Sequence, residues 1–407
     1  DNFMDTSTVI DGFRITNGYA NYGGGLYLNN SSPSLINIVI NSNTAGSQGG
    51  GVYCKNSQAS FDSVIIDGNI SFEGLNGGYG GGMYLNYSNI IFLNGKISNN
   101  LGSGGGGVYL SNSSPTFENT LIENNNGMAY GGGIYCHNYS SPILYKLIIK
   151  DNIANSGGGI KCSGNSYPIL TNVEIIGNYA YGRGGGANFQ NSLNSPSSFN
   201  LVNVTISDNS TQQDLEGSEE SMGGGGIWNV DGELNLINCI IWNNFPQQIE
   251  SKGDASSINI SHSDIGGLFD QTGIVINDDG ILFLDGLTNF GTDPLFNGDF
   301  TLQDGSPCID AGTAYLEWEG EIIVDIPDSS YYGSAPDMGA YEWYPEDSEF
   351  ELGDFNADGS INVLDVVALV DNILTDGEFN PAGDMNGDGS LNVQDIVALV
   401  NLILGGG

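Results

Sequence analysis

The chain has 407 residues, and 8 Lys and Arg against 48 Asp and Glu give it a formal net charge of −40 at pH 7. Nucleic acids bind proteins mainly through cationic side chains that neutralise phosphates, so this charge excludes DNA and RNA as partners. No apolar run approaches the roughly 18 residues of a membrane-spanning helix, so we expect no membrane span. The sequence begins DNFMDTSTV, without an initiator Met or a signal peptide, and we interpret it as a mature or trimmed product.

The first strand-like segment begins at Val9–Ile10. Ile10, Phe13 and Ile15 are spaced so that they would form the first rung of a stacked sheet. An open terminal rung exposes unpaired backbone groups and core side chains. We therefore expect this rung to be covered, either by another copy of the chain in a head-to-tail contact or by an upstream cap.

A triplet of glycines then recurs directly in front of short apolar runs. The spacing is about 26 residues with two longer intervals, and a fixed period of this size is typical of a solenoid. Glycine accepts positive φ and lets backbones approach closely, so each triplet predicts a corner at which successive turns stack. The last glycines of the triplets are Gly25, Gly51, Gly82, Gly107, Gly133, Gly159, Gly186 and Gly226.

Each repeat predicts three short strands. Alternating apolar residues such as Leu26 and Leu28 follow the glycines, a turn follows at Pro33, Leu35 marks a second strand, and a third ends on Ile40. Strands this short, separated by tight turns, leave no room for crossover helices. The chain must therefore coil, with each turn stacked in parallel on the last at about 4.8 Å.

Asparagine recurs at two fixed positions relative to the third strand of each repeat. Asn tolerates left-handed turn geometry, and stacked Asn amides can hydrogen-bond from rung to rung, so both positions predict ladders. The first follows the third strand at Asn43, Asn69, Asn100, Asn125, Asn152, Asn178, Asn209 and Asn244. The second precedes it at Asn37, Asn94, Asn119, Asn172, Asn203 and Asn238.

A tyrosine stripe lies between the two inward residues after each triplet. Alternation along a strand directs these side chains outward. Two interpretations stay open: rung-to-rung stacking that stabilises the sheet face, and an exposed platform that binds sugar or protein. The stripe comprises Tyr27, Tyr53, Tyr84, Tyr109 and Tyr135, and Lys161, Asn188 and Trp228 follow it at the same position.

Five cysteines do not make a disulfide framework in a chain of this length. Cys136 and Cys162 would be neighbours if the repeats stack, and we expect free buried thiols, since Cys packs well as a small hydrophobe. A metal site of Cys136 with His137 is disfavoured, because alternation places His137 on the opposite face.

Arg183 is a weak candidate for a catalytic residue. It precedes a glycine triplet close to insertions at 191–198 and 211–222, and binding or catalysis tends to use loops on a rigid scaffold. The second insertion contributes Asp214, Glu216, Glu219 and Glu220. The alternative is a solvated acidic loop beside a solubilising Arg, because no convergent acid–base group is evident.

The repeats resemble a right-handed parallel β-helix of the pectate-lyase-like superfamily. The segments FGTDPLF, GDFTLQDGSPCIDAGT and APDMGAYEW, within 290–343, resemble the closing region of secreted bacterial repeat proteins of the choice-of-anchor type. The resemblance implies an all-β fold with three short strands per coil. We expect β-helix repeats over 1–250, C-terminal coils and a cap over 251–345, a linker at 346–352 and a separate domain over 353–407.

The tail contains a duplicated acidic loop, each copy followed by an apolar helical pattern. Oxygen ligands at this spacing suit Ca²⁺, and two copies predict two ions. The first loop offers Asp354, Asn356, Asp358, Ser360, Asn362 and Asp365, and the second offers Asp384, Asn386, Asp388, Ser390, Asn392 and Asp395.

The duplicated loop and helix, with Asp at the twelfth loop position, resemble a type I dockerin. That resemblance implies a calcium-dependent partner of the cohesin type. Its recognition positions, often Ser-Thr in the family, are here Val363, Leu364, Val393 and Gln394, which indicates a more apolar partner surface.

The sequence therefore favours a secreted, extracellular or cell-surface protein that is non-enzymatic and assembles through its calcium-dependent tail. The partner is a cohesin-like module or another copy of the chain, which would give a head-to-tail filament. The alternative is a polysaccharide lyase or hydrolase, or a carbohydrate binder, carried in a cohesin–dockerin complex.

Overall fold

The computed structural model describes residues 5–72, 78–190, 198–212, 223–269, 273–277, 280–284, 288–318, 320–327, 330–344, 352–356, 360–374, 379–387 and 389–405. The chain divides into two compact units. The first comprises Asp1–Thr313 with Asp337–Tyr341, and the second comprises Ala314–Pro336 with Glu342–Gly407.

The first unit is a right-handed parallel β-solenoid of about 10 turns with about 26 residues per turn, which confirms the predicted fold class. The sheet that follows the glycine triplets, here the glycine-side sheet, takes one strand from each turn. Its strands are Leu26–Asn29, Val52–Lys55, Met83–Asn86, Val108–Ser111, Ile134–His137, Ile160–Cys162, Ala187–Gln190, Ile227–Val230, Ile249–Lys252 and Ile274–Ile276.

The second and third predicted strands of each repeat belong to one sheet, here the long sheet, and in several turns they merge into one strand. Its strands are Val9–Asp11, Arg14–Thr16, Ser34–Ile36, Val39–Asn41, Ser60–Asp62, Ile65–Asp67, Ile91–Leu93, Lys96–Ser98, Thr116–Glu123, Ile143–Lys150, Ile169–Ile176, Ser198–Ser207, Glu233–Ile237, Ile240–Trp242, Ser257–Ser261, Asp264–Ile265 and Ile281–Leu284.

A further short strand, which the repeat pattern did not predict, leads into the glycine corner of several turns. Its short, mostly polar sequence has little apolar alternation, which is why the repeat pattern gives no signal for it. These strands are Tyr19–Tyr22, Thr44–Gln48, Ile70–Ser71, Ile153–Ser156, Tyr179–Arg183 and Ser210–Thr211.

The glycine corners stack too closely for side chains. Gly105 has φ of +62°, in the left-handed region that favours glycine. Gly107 has ordinary φ, but a Cβ there would lie 2.6 Å from the carbonyl oxygen of Gly133 in the next turn. The triplet therefore serves two needs, a left-handed bend at its first residue and close backbone approach at its last.

The core runs between the sheets and is built from equivalent residues of successive turns. Phe61, Phe92 and Phe117 are fully buried, and their ring centroids follow one another at 5.7 and 5.5 Å. Cys136 pairs in register with Cys162, and all five cysteines are free and buried, as expected. Because the turns are in register, each core side chain packs on its own counterpart.

The first predicted asparagine ladder is confirmed. Asn125 is buried, and its Nδ2 donates to Asn152 Oδ1 of the next turn at 3.0 Å and to Ile97 O of the previous turn at 2.9 Å. The left-handed conformation belongs to the preceding residue, as in Asn124 with φ of 55°, and not to the ladder residue itself. Equivalent bonds link the ladder from Asn43 to Asn244.

The second asparagine set works differently. Asn119 has φ of 46°, and its Nδ2 donates to Asn94 Oδ1 at 3.2 Å on the solvent-exposed side of the chain. Asn238 likewise donates to Asn203, whereas Asn37 and Asn94 donate to Asp11 and Asp62. All six residues adopt the left-handed turn, but among the described bonds amide pairs join only some of them.

We expect Asn125→Leu to lower the free energy of unfolding by about 1–3 kcal/mol, because it leaves the buried N–H groups of Asn100 without their acceptor. Urea unfolding followed by circular dichroism measures this. The matched control is Asn155→Leu at an exposed strand position, which should change stability by less than about 0.5 kcal/mol. Equal effects of both variants would show that the ladder contributes no stability.

Residues Asp337–Tyr341 pack against the long sheet above Glu174. Gly339 N donates to Asn238 O at 2.8 Å, and Ala340 N donates to Thr205 Oγ1 at 3.0 Å. Glu174 is buried and hydrogen-bonds the Tyr341 side chain, but its Oε1 has no partner among the described residues.

Burial raises the pKa of Glu174 to about 7, because a carboxylate is poorly solvated there. The negative charge of Asp299 acts in the same direction, whereas the Tyr341 hydrogen bond and Lys150 oppose it. A raised pKa in the folded state means that the stability contributed by protonated Glu174 is complete below about pH 4.5 and is lost as pH rises through about 7.

Glu174→Gln should therefore stabilise the chain at pH 8 by on the order of 2 kcal/mol relative to the unaltered chain, with little difference at pH 4. Thermal unfolding at both pH values measures the difference between the two proteins. A difference that is constant from pH 4 to pH 8 would contradict the prediction.

Candidate metal centres and surface sites

The second unit contains an antiparallel strand pair, Tyr315–Trp318 with Glu321–Asp325, a short 3₁₀ helix, Pro381–Gly383, and two α-helices. Helix α1 is Val363–Leu374 and helix α2 is Val393–Gly405. The two helices have similar sequences and the same order of buried and exposed positions. Leu369 and Leu399, at equivalent positions, are fully buried.

One buried carboxylate closes each loop at the start of its helix. Asp365 Oδ1 and Oδ2 accept from the backbone N–H groups of Asn356 and Asn362 at 3.1 and 2.7 Å. Asp395 accepts in the same way from Asn386 and Asn392 at 3.3 and 2.8 Å. In both copies, the carboxylate at loop position 12 therefore accepts hydrogen bonds from the backbone N–H groups at positions 3 and 9.

The ninth loop residues cap the helices. Asn362 Oδ1 accepts from Leu364 N at 2.8 Å, and Asn392 Oδ1 accepts from Gln394 N at 2.8 Å. The side chain of Asn362 also donates to the backbone carbonyl of Ser360 at 2.8 Å. Asn at this position therefore orders the loop and starts the helix at once.

The Asp residues at position 1 of each loop are also held in place. Asp354 is buried, and Asp384 Oδ2 accepts from Gly389 N at 2.7 Å across the second loop. Asp358 and Asp388, the fifth positions, lie outside the described residues. Among the residues that are described, no group of three or more Asp, Glu, His or Cys side chains gathers at one point.

The residues present fit a calcium ion. Asp354, Asp365 and Asp395 are buried carboxylates, and the whole sequence after Lys252 contains no Lys or Arg to neutralise them. Buried charge needs a counter-charge. Carboxylate, amide and carbonyl oxygens form a hard donor set, and Ca²⁺ is the cation that such loops suit.

The four residues predicted to recognise a partner lie at the exposed starts of the two helices. Val363 is 64% exposed and Val393 is 66% exposed, and Leu364 and Gln394 are exposed beside them. Val367 and Val397 are exposed one turn further on, so each helix presents a small apolar surface to solvent. We call these two surfaces the helix-start patches.

The tyrosine stripe is not an exposed platform. Tyr53, Tyr84, Tyr109 and Tyr135 face outward from the glycine-side sheet but are only 6–8% exposed. Tyr53 and Tyr84 stack at 5.3 Å between ring centroids, and Tyr84 and Tyr109 stack at 4.9 Å. Stacking in register and neighbouring corner tyrosines cover these four rings, which favours the rung-to-rung stacking interpretation over the exposed platform. Tyr27, at the end of the stack, is 49% exposed.

Arg183 ends the short strand before its glycine triplet, and its guanidinium carbon lies 4.7 Å from the ring centroid of Trp228. This contact joins two turns and gives the residue a structural role. The acidic residues predicted beside it, Asp214, Glu216, Glu219 and Glu220, lie outside the described residues. A catalytic role of Arg183 stays a prediction.

Sequence reasoning noted Lys161 in the stripe without assigning it a role. The structure places Lys161 in the glycine-side sheet beside Tyr135, with His137 and Ser163 one step along the same outer face. His137 Nδ1 and Ser163 Oγ are 2.9 Å apart. The available signal was the break in a run of five tyrosines by a lysine in a strongly acidic chain.

The comparisons agree with this architecture. Residues 3–173 match the family described as right handed beta helix region, and residues 352–404 match the dockerin type I domain. The chain therefore combines a right-handed parallel β-helix with a C-terminal segment that matches the dockerin type I domain. In the described part of the chain, no helix has the length and apolar character needed to cross a membrane.

A solved structure, the crystal structure of pectate lyase Pel9A, aligns with 77% of this chain and 88% of its own chain. The identity is 13% and the TM-score is 0.44. The search of curated proteins gave no match.

Proposed function

We propose that the chain is a secreted, non-enzymatic β-helix protein of the cell surface or extracellular space that is attached to a cohesin module through its calcium-dependent tail. Dockerin domains bind cohesin modules, and proteins that contain them are typically extracellular. The observation that carries the proposal is the duplicated loop and helix, in which Asp365 and Asp395 are buried on equivalent backbone partners.

Type I dockerin domains bind calcium, and this chain offers one oxygen-rich loop for each of two ions. When bound, the ion supplies the positive charge that the tail's own side chains lack. Asp354, Asn356, Asp358, Ser360, Asn362 and Asp365 would hold one ion, and Asp384, Asn386, Asp388, Ser390, Asn392 and Asp395 the other. The buried carboxylates would then fix the starts of α1 and α2, which carry the helix-start patches.

The helix-start patches support a partner with an apolar recognition surface. Val363, Leu364 and Val367 on α1 are exposed branched side chains, and Val393 and Val397 repeat them on α2. A partner that recognises hydroxyl groups at these positions would find none. Charge neutralisation by calcium and burial of these side chains would together drive docking.

The non-enzymatic part of the proposal is supported by how the candidate residues are used. The outward tyrosines stack on one another, and Arg183 lies on the ring of Trp228. Cleavage of an acidic polysaccharide by the chain, with loss of the activity in Arg183→Ala, would overturn this part in favour of a polysaccharide-active enzyme carried by its dockerin.

Head-to-tail contact between copies belongs to the same proposal. Val9 and Phe13 are exposed on the first described coil, and a neighbouring copy could cover them. Sedimentation with and without calcium would measure this contact, and a monomer at all concentrations in both conditions would overturn it.

We expect the full chain to bind two Ca²⁺ ions at roughly 10⁻⁴–10⁻³ M, the range of extracellular modules. Chelation should abolish hydrogen-exchange protection in residues 353–405 and leave the β-helix protected. Calorimetry counts the ions, and Asp365→Asn should reduce the count to one. The control is Asp371→Asn on the exposed side of α1, which should keep both ions. Protection of the tail that survives chelation would contradict the loop assignment.

Docking should depend on the helix-start patches. In the calcium-loaded chain, Val363→Asp combined with Val393→Asp should weaken binding to a cohesin module by about a hundredfold or more, because two charges would be buried without partners. Binding is measured by calorimetry against a panel of cohesin modules. Leu374→Asp combined with Leu404→Asp, exposed at the far ends of the same helices, is the control and should bind normally. Equal loss in both double variants would exclude the helix starts as the recognition site.

A further inference from the structure

The outer face of the glycine-side sheet changes its chemistry after Tyr135. Lys161 occupies the next register position, and Asn188 and Trp228 follow in the next two turns. Lys161 is 5% exposed, and its Nζ donates to Asn188 Oδ1 at 2.7 Å and to Gln190 Oε1 at 3.0 Å. At this register position of the outer face, a cationic side chain therefore replaces an aromatic ring.

Lys161 has no negative partner in the described part of the chain. The ion pairs found there join Lys96 and Lys150 to Glu123, and both acceptors of Lys161 are neutral amides. An ammonium group has three N–H donors, so one is left for a further acceptor. Among the described residues this buried charge has no counter-ion, and a buried charge without one is costly.

A second positive charge lies close by and increases that cost. Burial lowers the pKa of Lys161 to about 8, and the guanidinium of Arg183 acts in the same direction. The ring of Trp228 holds Arg183 in place. An anion bound beside Lys161 would interact favourably with both charges.

The edge of this face offers hydrogen-bonding groups rather than apolar ones. Ser163 Oγ lies 2.9 Å from His137 Nδ1 and 3.1 Å from the Tyr135 hydroxyl, and all three lie next to Lys161 on the outer face. Gln190 is exposed at the other side. Hydroxyl, imidazole and amide groups around one cation suit a small polar ligand with a single negative charge.

We propose that Lys161, with His137, Ser163, Asn188 and Gln190 around it, forms a binding site for a carboxylate-bearing ligand. The ammonium group of Lys161 is the charge partner of the carboxylate, and the surrounding side chains bind the polar remainder of the ligand. The site lies in the β-helix and does not depend on the proposed docking of the tail. A sugar acid or a simple organic acid could supply the carboxylate, and the test separates these sources.

The test titrates the full calcium-loaded chain by calorimetry with three probes: a hexuronate trisaccharide, the corresponding neutral hexose trisaccharide, and succinate. We expect binding of the hexuronate, of succinate, or of both, and none of the neutral sugar. Binding of the hexuronate alone identifies a sugar acid as the ligand, and equal binding of succinate identifies the carboxylate alone. Absence of binding by both carboxylates, or equal binding of the neutral sugar, overturns the proposal.

Variants locate the site. Lys161→Met should weaken carboxylate binding at least about tenfold, and Lys161→Arg, which keeps the charge, should restore most of it. Lys252→Met, at an exposed lysine of the same sheet, is the matched control and should bind as the unaltered chain does. If Lys161→Met does not fold, a crystal structure of the unaltered chain with the hexuronate or succinate decides, because its carboxylate must lie on Lys161 Nζ. Binding elsewhere, or undiminished binding by folded Lys161→Met, overturns the proposal.

Discussion

The close stacking of turns at the glycine corner is the constraint on which the rest of the β-helix depends. At Gly107 no Cβ fits beneath the carbonyl of the next turn, and the amide of Asn125 bridges the same corner to Asn152. Close approach lets each ladder amide reach both the next amide and a backbone carbonyl of the previous turn. The ladder in turn satisfies the hydrogen bonds of backbone groups that the corner buries. Glycine therefore allows the close approach of the turns, and asparagine supplies the hydrogen bonds that this approach requires.

The same register decides what happens on the outer face. In-register parallel strands place equivalent residues directly above one another, at a distance that suits stacked rings. Five successive tyrosine rings therefore contact one another in a row. Four of them are buried, although each points away from the core. A lysine at the next position meets the same crowding, which is why Lys161 is buried among neutral amides instead of extending into water. Outward direction and exposure are separate properties in this fold.

The features that recur along the sequence could be predicted from it, whereas contacts that form only once in the folded chain could not. The glycine corners, the Asn125 ladder and the matching Asp365 and Asp395 loops each depend on local spacing that recurs, and several copies reinforce one interpretation. The exposure of the tyrosines could not be read from alternation, because burial there depends on neighbouring turns. The surroundings of Glu174 could not be foreseen either, since they depend on Tyr341, which is remote in sequence and adjacent only after folding.

The two units meet the problem of buried charge in different ways. In the β-helix, Glu174 is buried beside Tyr341 and avoids its charge by holding a proton up to about pH 7. In the tail, Asp365 and Asp395 accept hydrogen bonds from backbone N–H groups, which fix both carboxylates at the starts of their helices. All the chain's Lys and Arg residues lie at or before Lys252, so the tail has no cationic side chain of its own to balance these carboxylates. The distribution of Lys and Arg along the chain is therefore consistent with a tail that binds a cation.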